Sequence, residues 1–111
     1  MARLYYLELP TADIEAAKLF YETAFGLDLI DFGPTYAATA TGDTDIGLQA
    51  DRAEQTAGPL PVIGVDNLAA ALEAVTAAGG VITRPILAFP GGRRFHFRDL
   101  DGHELAAVQP D

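Results

Sequence analysis

The chain lacks cysteine and tryptophan, and it has few basic residues. Without cysteine it can form no disulfide, no thiolate nucleophile and no cysteine-ligated metal centre. Its 7 basic residues against 16 acidic ones give a net charge of −9, which opposes binding to nucleic acid or to an anionic membrane surface. We therefore expect no thiol chemistry and neither of these two polyanionic partners.

Long apolar runs are also missing from the sequence. No stretch approaches the roughly 18 residues of a membrane-spanning helix. Residues 1–6 lead directly into a strand pattern and lack the apolar core of a secretory signal. Half of the 111 residues are hydrophobic, which suffices for one core. Together with the absence of cysteine, these features favour a single cytoplasmic domain.

What the chain does contain is an internal repeat with an offset of 54 residues. Asp13 and Asn67 each open a helical pattern, and Gly26 and Gly80 each close one. An apolar run precedes each helix, at Leu4–Leu9 and Leu60–Val65. Strand-like segments broken by Gly, Pro and Asp follow each helix. A repeat of this kind indicates two copies of one structural unit, with a binding site in the space between them.

Each copy is predicted to be one strand, one helix and three further strands. We expect an α+β fold of two tandem βαβββ modules that form a cupped, mostly antiparallel sheet with the helices on its outer face. The first module is 1–50, the linker is 51–59 and the second module is 60–111. Helical spacing also assigns the aromatic side chains of Phe20, Tyr21 and Phe25 to the core.

Five short motifs in a fixed order carry a family resemblance. They are Glu-Leu-Pro-Thr-Ala-Asp at 8–13, Ala-Lys-Leu-Phe-Tyr-Glu-Thr-Ala-Phe-Gly at 17–26, Gly-Val-Asp-Asn-Leu at 64–68, Ala-Ala-Gly-Gly at 77–80 and Phe-His-Phe-Arg-Asp-Leu-Asp-Gly-His-Glu-Leu at 95–105. The set resembles the vicinal oxygen chelate superfamily, which includes glyoxalase I, extradiol dioxygenases and bleomycin-resistance proteins. Leu100 departs from the usual proline in one turn, which affects the turn rather than the fold.

The resemblance also bears on metal chemistry. Catalytic members of that superfamily bind a divalent metal through His, Glu or Gln side chains from four strands. The resemblance places these positions at Tyr6, Gly47, Leu60 and Ala106. These four residues include no His, Glu or Gln and cannot form a metal site, so we expect neither a metal nor another cofactor. A non-standard site made by Glu8, Glu104 and His96 remains an alternative.

Strand alternation selects the side chains that should line the cup. Arg94 and Arg98 share a strand face with His96, and an arginine fork suits a carboxylate or phosphate. The expected ligand-binding residues are Tyr6, Glu8, Val62, Arg94, His96, Arg98, Glu104 and Ala106. His96, Tyr6 and Glu104 are the candidates for any catalysis. The expected ligand is small and partly apolar, with an anionic or oxygen-rich group.

Three functions remain open from the sequence. The first is a metal-free protein that binds a small molecule. The second is a lyase, isomerase or dioxygenase of the same superfamily that uses a non-standard metal or acid–base site. The third is a structural or regulatory dimer with a vestigial cup. Because short edge strands and an apolar concave face are removed by pairing, and because the resemblance implies it, we expect a homodimer.

Overall fold

Two copies of one local pattern build the protein. The computed structural model describes residues 2–111, which form a mixed α+β fold of two βαβββ modules, as predicted. The elements are β1 (Arg3–Pro10), α1 (Ile14–Phe25), β2 (Ile30–Asp31), β3 (Tyr36–Ala38), β4 (Asp45–Gln49), β5 (Leu60–Gly64), α2 (Leu68–Ala77), β6 (Val81–Phe89), β7 (Gly92–Arg98) and β8 (Glu104–Pro110).

Helix capping explains why both helices begin where the repeat places them. The side chains of Asp13 and Asn67 each accept a hydrogen bond from the amide three residues later, at 3.1 and 3.0 Å. Gly26 ends α1 with a left-handed φ of 68°. After α2 the left-handed glycine is Gly79, not Gly80, so the offset of the repeat shortens by one residue there. Neither helix in the described part of the chain is long and apolar enough to cross a membrane.

One compact unit spans Tyr6–Leu60, with the strand order β2-β3-β4-β1. In this unit β1 and β4 are parallel, whereas β3 is antiparallel to both β2 and β4. Helix α1 packs on one face of these strands. Its core consists of Leu29, Ala37 and Leu48, packed against Leu9, Ile14, Ala17 and Tyr21.

The other compact unit comprises residues 2–5 and Pro61–Asp111, with the strand order β5-β8-β7-β6. Strand β7 is antiparallel to β6 and β8, and β5 is parallel to β8. Leu68 of helix α2 forms the core of this unit with Phe95 and Ala107 of the strands beneath it. Strand β6 contains Pro85, lies at the end of the strand order and has register shifts on both sides of Arg84. A proline in a strand favours such an irregular edge position.

The assignment of α1 aromatics to the core was wrong for two of the three residues. The side chains of Phe20 and Phe25 are 59% and 70% exposed. Only Tyr21 packs against the core of this unit, and its ring lies 5.1 Å from that of Phe20 and 6.5 Å from that of Phe25. Helical spacing shows which side chains of α1 lie near one another on the helix surface. It cannot show how many of them the short strands of this unit will cover.

The assignment of Leu68 to the core can be tested by comparing this buried leucine with an exposed one, Leu100. Leu68→Ala should lower the free energy of unfolding by about 2–5 kcal/mol, because it leaves a cavity under α2. Leu100→Ala is the matched control, since Leu100 is 79% exposed whereas Leu68 is fully buried. It should change the free energy by about 0.5 kcal/mol or less. Urea denaturation measures both values, and equal losses would contradict the assignment.

Candidate functional site

Strand alternation places His96 on the face of its unit that lies opposite α2. Phe95 and Ala107 pair across β7 and β8, and both pack under the helix. The next register pair, His96 and Ala106, therefore points to the other face. Both residues are almost fully buried, at 1% and 0% exposure. A titratable ring in such a position requires hydrogen-bond partners.

The imidazole of His96 is held through one of its two nitrogens. Nδ1 lies 3.2 Å from Oε2 of Glu104, and the hydroxyl of Thr83 donates to the same oxygen at 3.4 Å. Because a carboxylate can only accept, Nδ1 donates, and Nε2 of the neutral ring keeps its lone pair. Nε2 is buried and has no hydrogen-bond partner within residues 2–111. Buried polar atoms of this kind are uncommon and mark places where water or a ligand binds.

The surroundings of His96 favour its neutral form. Burial, the largest effect, lowers the pKa of His96, and the hydrogen bond to Glu104 offsets this only in part. The positive charges of Arg94 and Arg84 lower the pKa further. Near neutral pH the ring therefore presents a hydrogen-bond acceptor at Nε2 rather than a second N–H donor.

Two phenols and a buried carboxylate form a hydrogen-bonded chain in the unit Tyr6–Leu60. The hydroxyl of Tyr36 donates to Oε1 of Glu8 at 3.1 Å, and the hydroxyls of Tyr6 and Tyr36 lie 2.6 Å apart. Since Tyr36 donates its proton to Glu8, its oxygen accepts from Tyr6. Burial and the charge of Glu8 raise the pKa of Tyr36 far above its usual value, which keeps this phenol protonated.

Gly47 provides the space for these phenols. It lies opposite Glu8 in the parallel register of β1 and β4. A Cβ atom at Gly47 would overlap the hydroxyls of Tyr6 and Tyr36 and would lie 2.7 Å from Cε2 of Tyr6. Any side chain at position 47 would therefore displace the phenols.

The remaining predicted ligand-binding residues have different surroundings. Val62 and Ala106 pair between β5 and β8 and are buried, at 3% and 0% exposure. The half-buried Arg94 places its guanidinium 5.5 Å from the ring centre of Phe89. Arg98 is exposed and donates to the carbonyl oxygen of residue 102 at 2.9 Å, a contact that stabilises the turn between β7 and β8. Ligand binding by these residues stays a prediction.

Three residues that the sequence analysis did not single out belong to the two clusters. Tyr36 lies in a segment that was predicted as a strand, so alternation along that segment could have identified it. Thr83 and Arg84 lie on β6, where the register shifts on both sides of Arg84. A two-residue period cannot place side chains across such shifts.

The four strand positions that the resemblance assigns to metal ligands do not fit a divalent cation. Gly47, Leu60 and Ala106 have no side-chain ligand atom. Tyr6 has one, but its hydroxyl is hydrogen bonded to Tyr36 at 2.6 Å. A divalent centre needs several oxygen or nitrogen ligands that converge on one point.

Another group of potential metal ligands lies in the turn between β7 and β8. The ligand atoms of Asp99, Asp101 and His103 lie within 4.8 Å of one another. Asp99 accepts from the amides of Asp101 and His103 at 2.9 Å and contacts Nδ1 of His103 at 3.1 Å. The backbone hydrogen bond from His103 is the main reason that the pKa of Asp99 is lowered. These contacts explain the cluster as a stabilised turn.

A shallow cleft of about 300 Å³ lies in the unit Tyr6–Leu60, away from the predicted ligand-binding residues. It is lined by Pro10, Thr11, Ala12, Arg52 and Gln55. The amide of Gln55 donates to the carbonyl oxygens of Thr11 and Gln49 at 3.2 and 3.0 Å. These bonds attach the 51–59 segment to β1 and β4, which gives the cleft a structural explanation.

Comparison with known proteins supports the family resemblance. A model of the Glyoxalase/Bleomycin resistance protein/Dioxygenase superfamily matches residues 3–107. The structure of hypothetical protein BH1468 from Bacillus halodurans C-125 is similar with a TM-score of 0.82 at 15% identity, covering 99% of this chain and 95% of that one. No curated protein sequence matches this chain.

Two enzymes have similar structures. Methylmalonyl-CoA epimerase from Mycobacterium tuberculosis has a TM-score of 0.75 at 17% identity, covering 97% of this chain and 87% of that one. The Mn(II)-bound glyoxalase from Novosphingobium aromaticivorans has a TM-score of 0.71 at 21% identity, covering 98% of this chain and 40% of that one. At these identities the similarity shows a shared fold.

The lowered pKa of His96 predicts a pH dependence of stability. As the pH falls below the ordinary value of 6.5, the unfolded chain binds a proton before the folded chain does. Stability should therefore decrease from about pH 6.5 down to the folded-state pKa. His96→Gln should flatten this part of the profile. Urea denaturation between about pH 5 and pH 8 measures the effect.

His103→Gln is the matched control for this experiment, because the side chain of His103 is 74% exposed. It should keep the slope of the parent protein. A profile flattened equally by both substitutions, or by neither, would contradict the role given to burial of His96.

Proposed function

Because this chain belongs to the Glyoxalase/Bleomycin resistance protein/Dioxygenase superfamily, we propose that it binds a small organic molecule without a divalent metal. The binding surface is the strand face that presents His96. The observation that carries the proposal is the buried Nε2 atom, which has no hydrogen-bond partner within residues 2–111. A bound molecule that donates a hydrogen bond would satisfy this nitrogen, whose burial is otherwise costly.

The chemistry of this face indicates the kind of molecule. The buried apolar residues of this face are Val62 on β5 and Ala106 and Val108 on β8. Val62 pairs with Ala106, which in turn pairs with His96. Val108 pairs with Arg94. Arg94 contributes positive charge on the same face. A partly apolar ligand with an anionic or oxygen-rich group matches both properties. Glu104 balances part of the positive charge, so a neutral ligand is the competing possibility.

Acid–base catalysis is the second candidate function. The carboxylate of Glu104 orients the ring of His96 through Nδ1 and leaves Nε2 as a proton acceptor. General bases often have this arrangement. His96 and Glu104 would then act together, whereas Tyr6 belongs to a separate hydrogen-bonded chain. The two enzymes of similar fold make this candidate reasonable, although they share only the fold with this chain.

The proposed function predicts a protein that is stabilised by small molecules but not by metal. Purified protein should contain less than one Mn, Fe, Ni or Zn ion per chain. A screen of small organic molecules should find compounds that raise the Tm of the parent and of His103→Gln, because bound ligand stabilises the folded state. The same compounds should not raise the Tm of His96→Gln. One metal ion per chain that ligand binding requires would contradict the proposal.

We further propose that the protein is a homodimer. Three large apolar side chains of α1, those of Leu19, Phe20 and Phe25, are 64%, 59% and 70% exposed. Contact with a second copy would remove side chains of this kind from water. Strands β2 and β6 also end their strand orders and offer edges for pairing.

Light scattering at micromolar concentration should give twice the chain mass of 11.7 kDa. Phe25→Asp should shift the protein toward the monomer, because it places a charge in an apolar interface. Leu100→Asp is the control, since Leu100 is also exposed, at 79%, but lies in the turn after β7. A monomeric parent protein would contradict the proposal.

Location and other partners are predicted from composition alone. A cytoplasmic location stays a prediction from the absence of cysteine. The expectation of no nucleic-acid or membrane partner stays a prediction from the net charge of −9.

A further inference from the structure

We infer that the ligand of the His96 face is a small hydroxy acid. Its hydroxyl donates to Nε2 of His96, and its carboxylate pairs with the guanidinium groups of Arg84 and Arg94. This inference rests on the proposed function, because it identifies the class of molecule that the same face binds. It goes beyond that function by assigning each polar group of the ligand to a protein atom.

The direction of the hydrogen bonds determines which group can meet Nε2. Thr83 donates to Oε2 of Glu104, and Nδ1 of His96 donates to the same oxygen. Both protons are directed toward the carboxylate, so the opposite nitrogen of the neutral ring has only a lone pair to offer. A carbonyl or carboxylate oxygen of a ligand would face that lone pair without a proton between them. The ligand must therefore bring a donor.

Charge and space favour a small, neutral donor, and a hydroxyl has both properties. His96 is 1% exposed, so a ligand atom reaches its ring only when neighbouring side chains move, and a small atom requires the least movement. The charges of Arg94 and Arg84 act on the same ring, and they would repel an ammonium donor. A hydroxyl is neutral and has the required proton.

Arg84 and Arg94 are the residues that would bind the carboxylate of the ligand. Arg84 lies opposite His96 in the register of β6 and β7, and Arg94 precedes His96 by two residues on the same strand face. Guanidinium groups bind carboxylates through paired hydrogen bonds. A carboxylate beside the hydroxyl-bearing carbon would thus lie close to both arginines. The charged groups that act on the ring are Glu104, Arg94 and Arg84.

Three related probes test the inference: mandelate, phenylacetate and benzyl alcohol. All three have the same phenyl group, but phenylacetate lacks the hydroxyl and benzyl alcohol lacks the carboxylate. Isothermal titration of the full chain near pH 7.5 should give a Kd for mandelate about tenfold or more below those of the other two. Arg84→Met should remove most of the preference over benzyl alcohol.

His96→Leu should remove the preference for mandelate over phenylacetate, whereas the control His103→Leu should keep it. If His96→Leu does not fold, the parent protein tests the same point with phenylglyoxylate, which has a carbonyl oxygen in place of the hydroxyl of mandelate. That oxygen can accept a hydrogen bond but has no proton to donate to Nε2, so phenylglyoxylate should bind as weakly as phenylacetate.

Equal affinities for mandelate and phenylacetate would overturn the inference. A preference for mandelate that persists in His96→Leu, or an equal affinity for phenylglyoxylate, would overturn it as well. Failure of all three probes to bind at millimolar concentration would also overturn it. The proposed function would survive either result if other compounds from the screen still required His96. It would fail separately if no small molecule stabilised the protein.

Discussion

The alternation of side chains along β7 and β8 is the constraint on which the candidate site depends. One set of positions, which includes Phe95 and Ala107, must pack under α2 to form a core. The other set, which includes His96 and Ala106, is then directed to the opposite face. A shift of one residue in register would bury the imidazole under the helix and expose the phenylalanine. The apolar core of this unit therefore also fixes the position of its chemistry.

Burial of His96 has an energetic consequence. A buried polar atom without a partner costs roughly 1–3 kcal/mol, and an apolar side chain in the same place would avoid that cost. The contact with Glu104 satisfies Nδ1 but leaves Nε2 without a partner within the described chain. Residues that violate a local rule of this kind are common at functional sites. In the Tyr6, Tyr36 and Glu8 chain, both hydroxyls have hydrogen-bond partners.

The sequence predicted the fold well because its signals are local and repeated. Asp13 and Asn67 cap helices at the two positions that the repeat relates, and Leu68 of α2 packs against Phe95 and Ala107. Exposure of Phe20 and Phe25 could not be predicted, because it depends on how much of α1 the short strands cover.

Part of the candidate site was also predictable, because side chains alternate regularly along its two uninterrupted strands. Alternation placed His96, Glu104 and Ala106 on one face, because β7 and β8 pair without interruption. It did not place Thr83 or Arg84, because the irregular register of β6 breaks the period. The contact of Nδ1 with Glu104 also depends on side-chain rotamers, which strand periodicity does not determine.

The protonation state of the two His96 nitrogens tests the central claim most directly. Nitrogen-15 NMR of uniformly labelled protein near pH 7.5 distinguishes a protonated ring nitrogen from one with a free lone pair. We predict a neutral ring with the proton on Nδ1 and none on Nε2, because Glu104 accepts from Nδ1. A proton on Nε2, whether in the other neutral tautomer or in a doubly protonated ring, would contradict it.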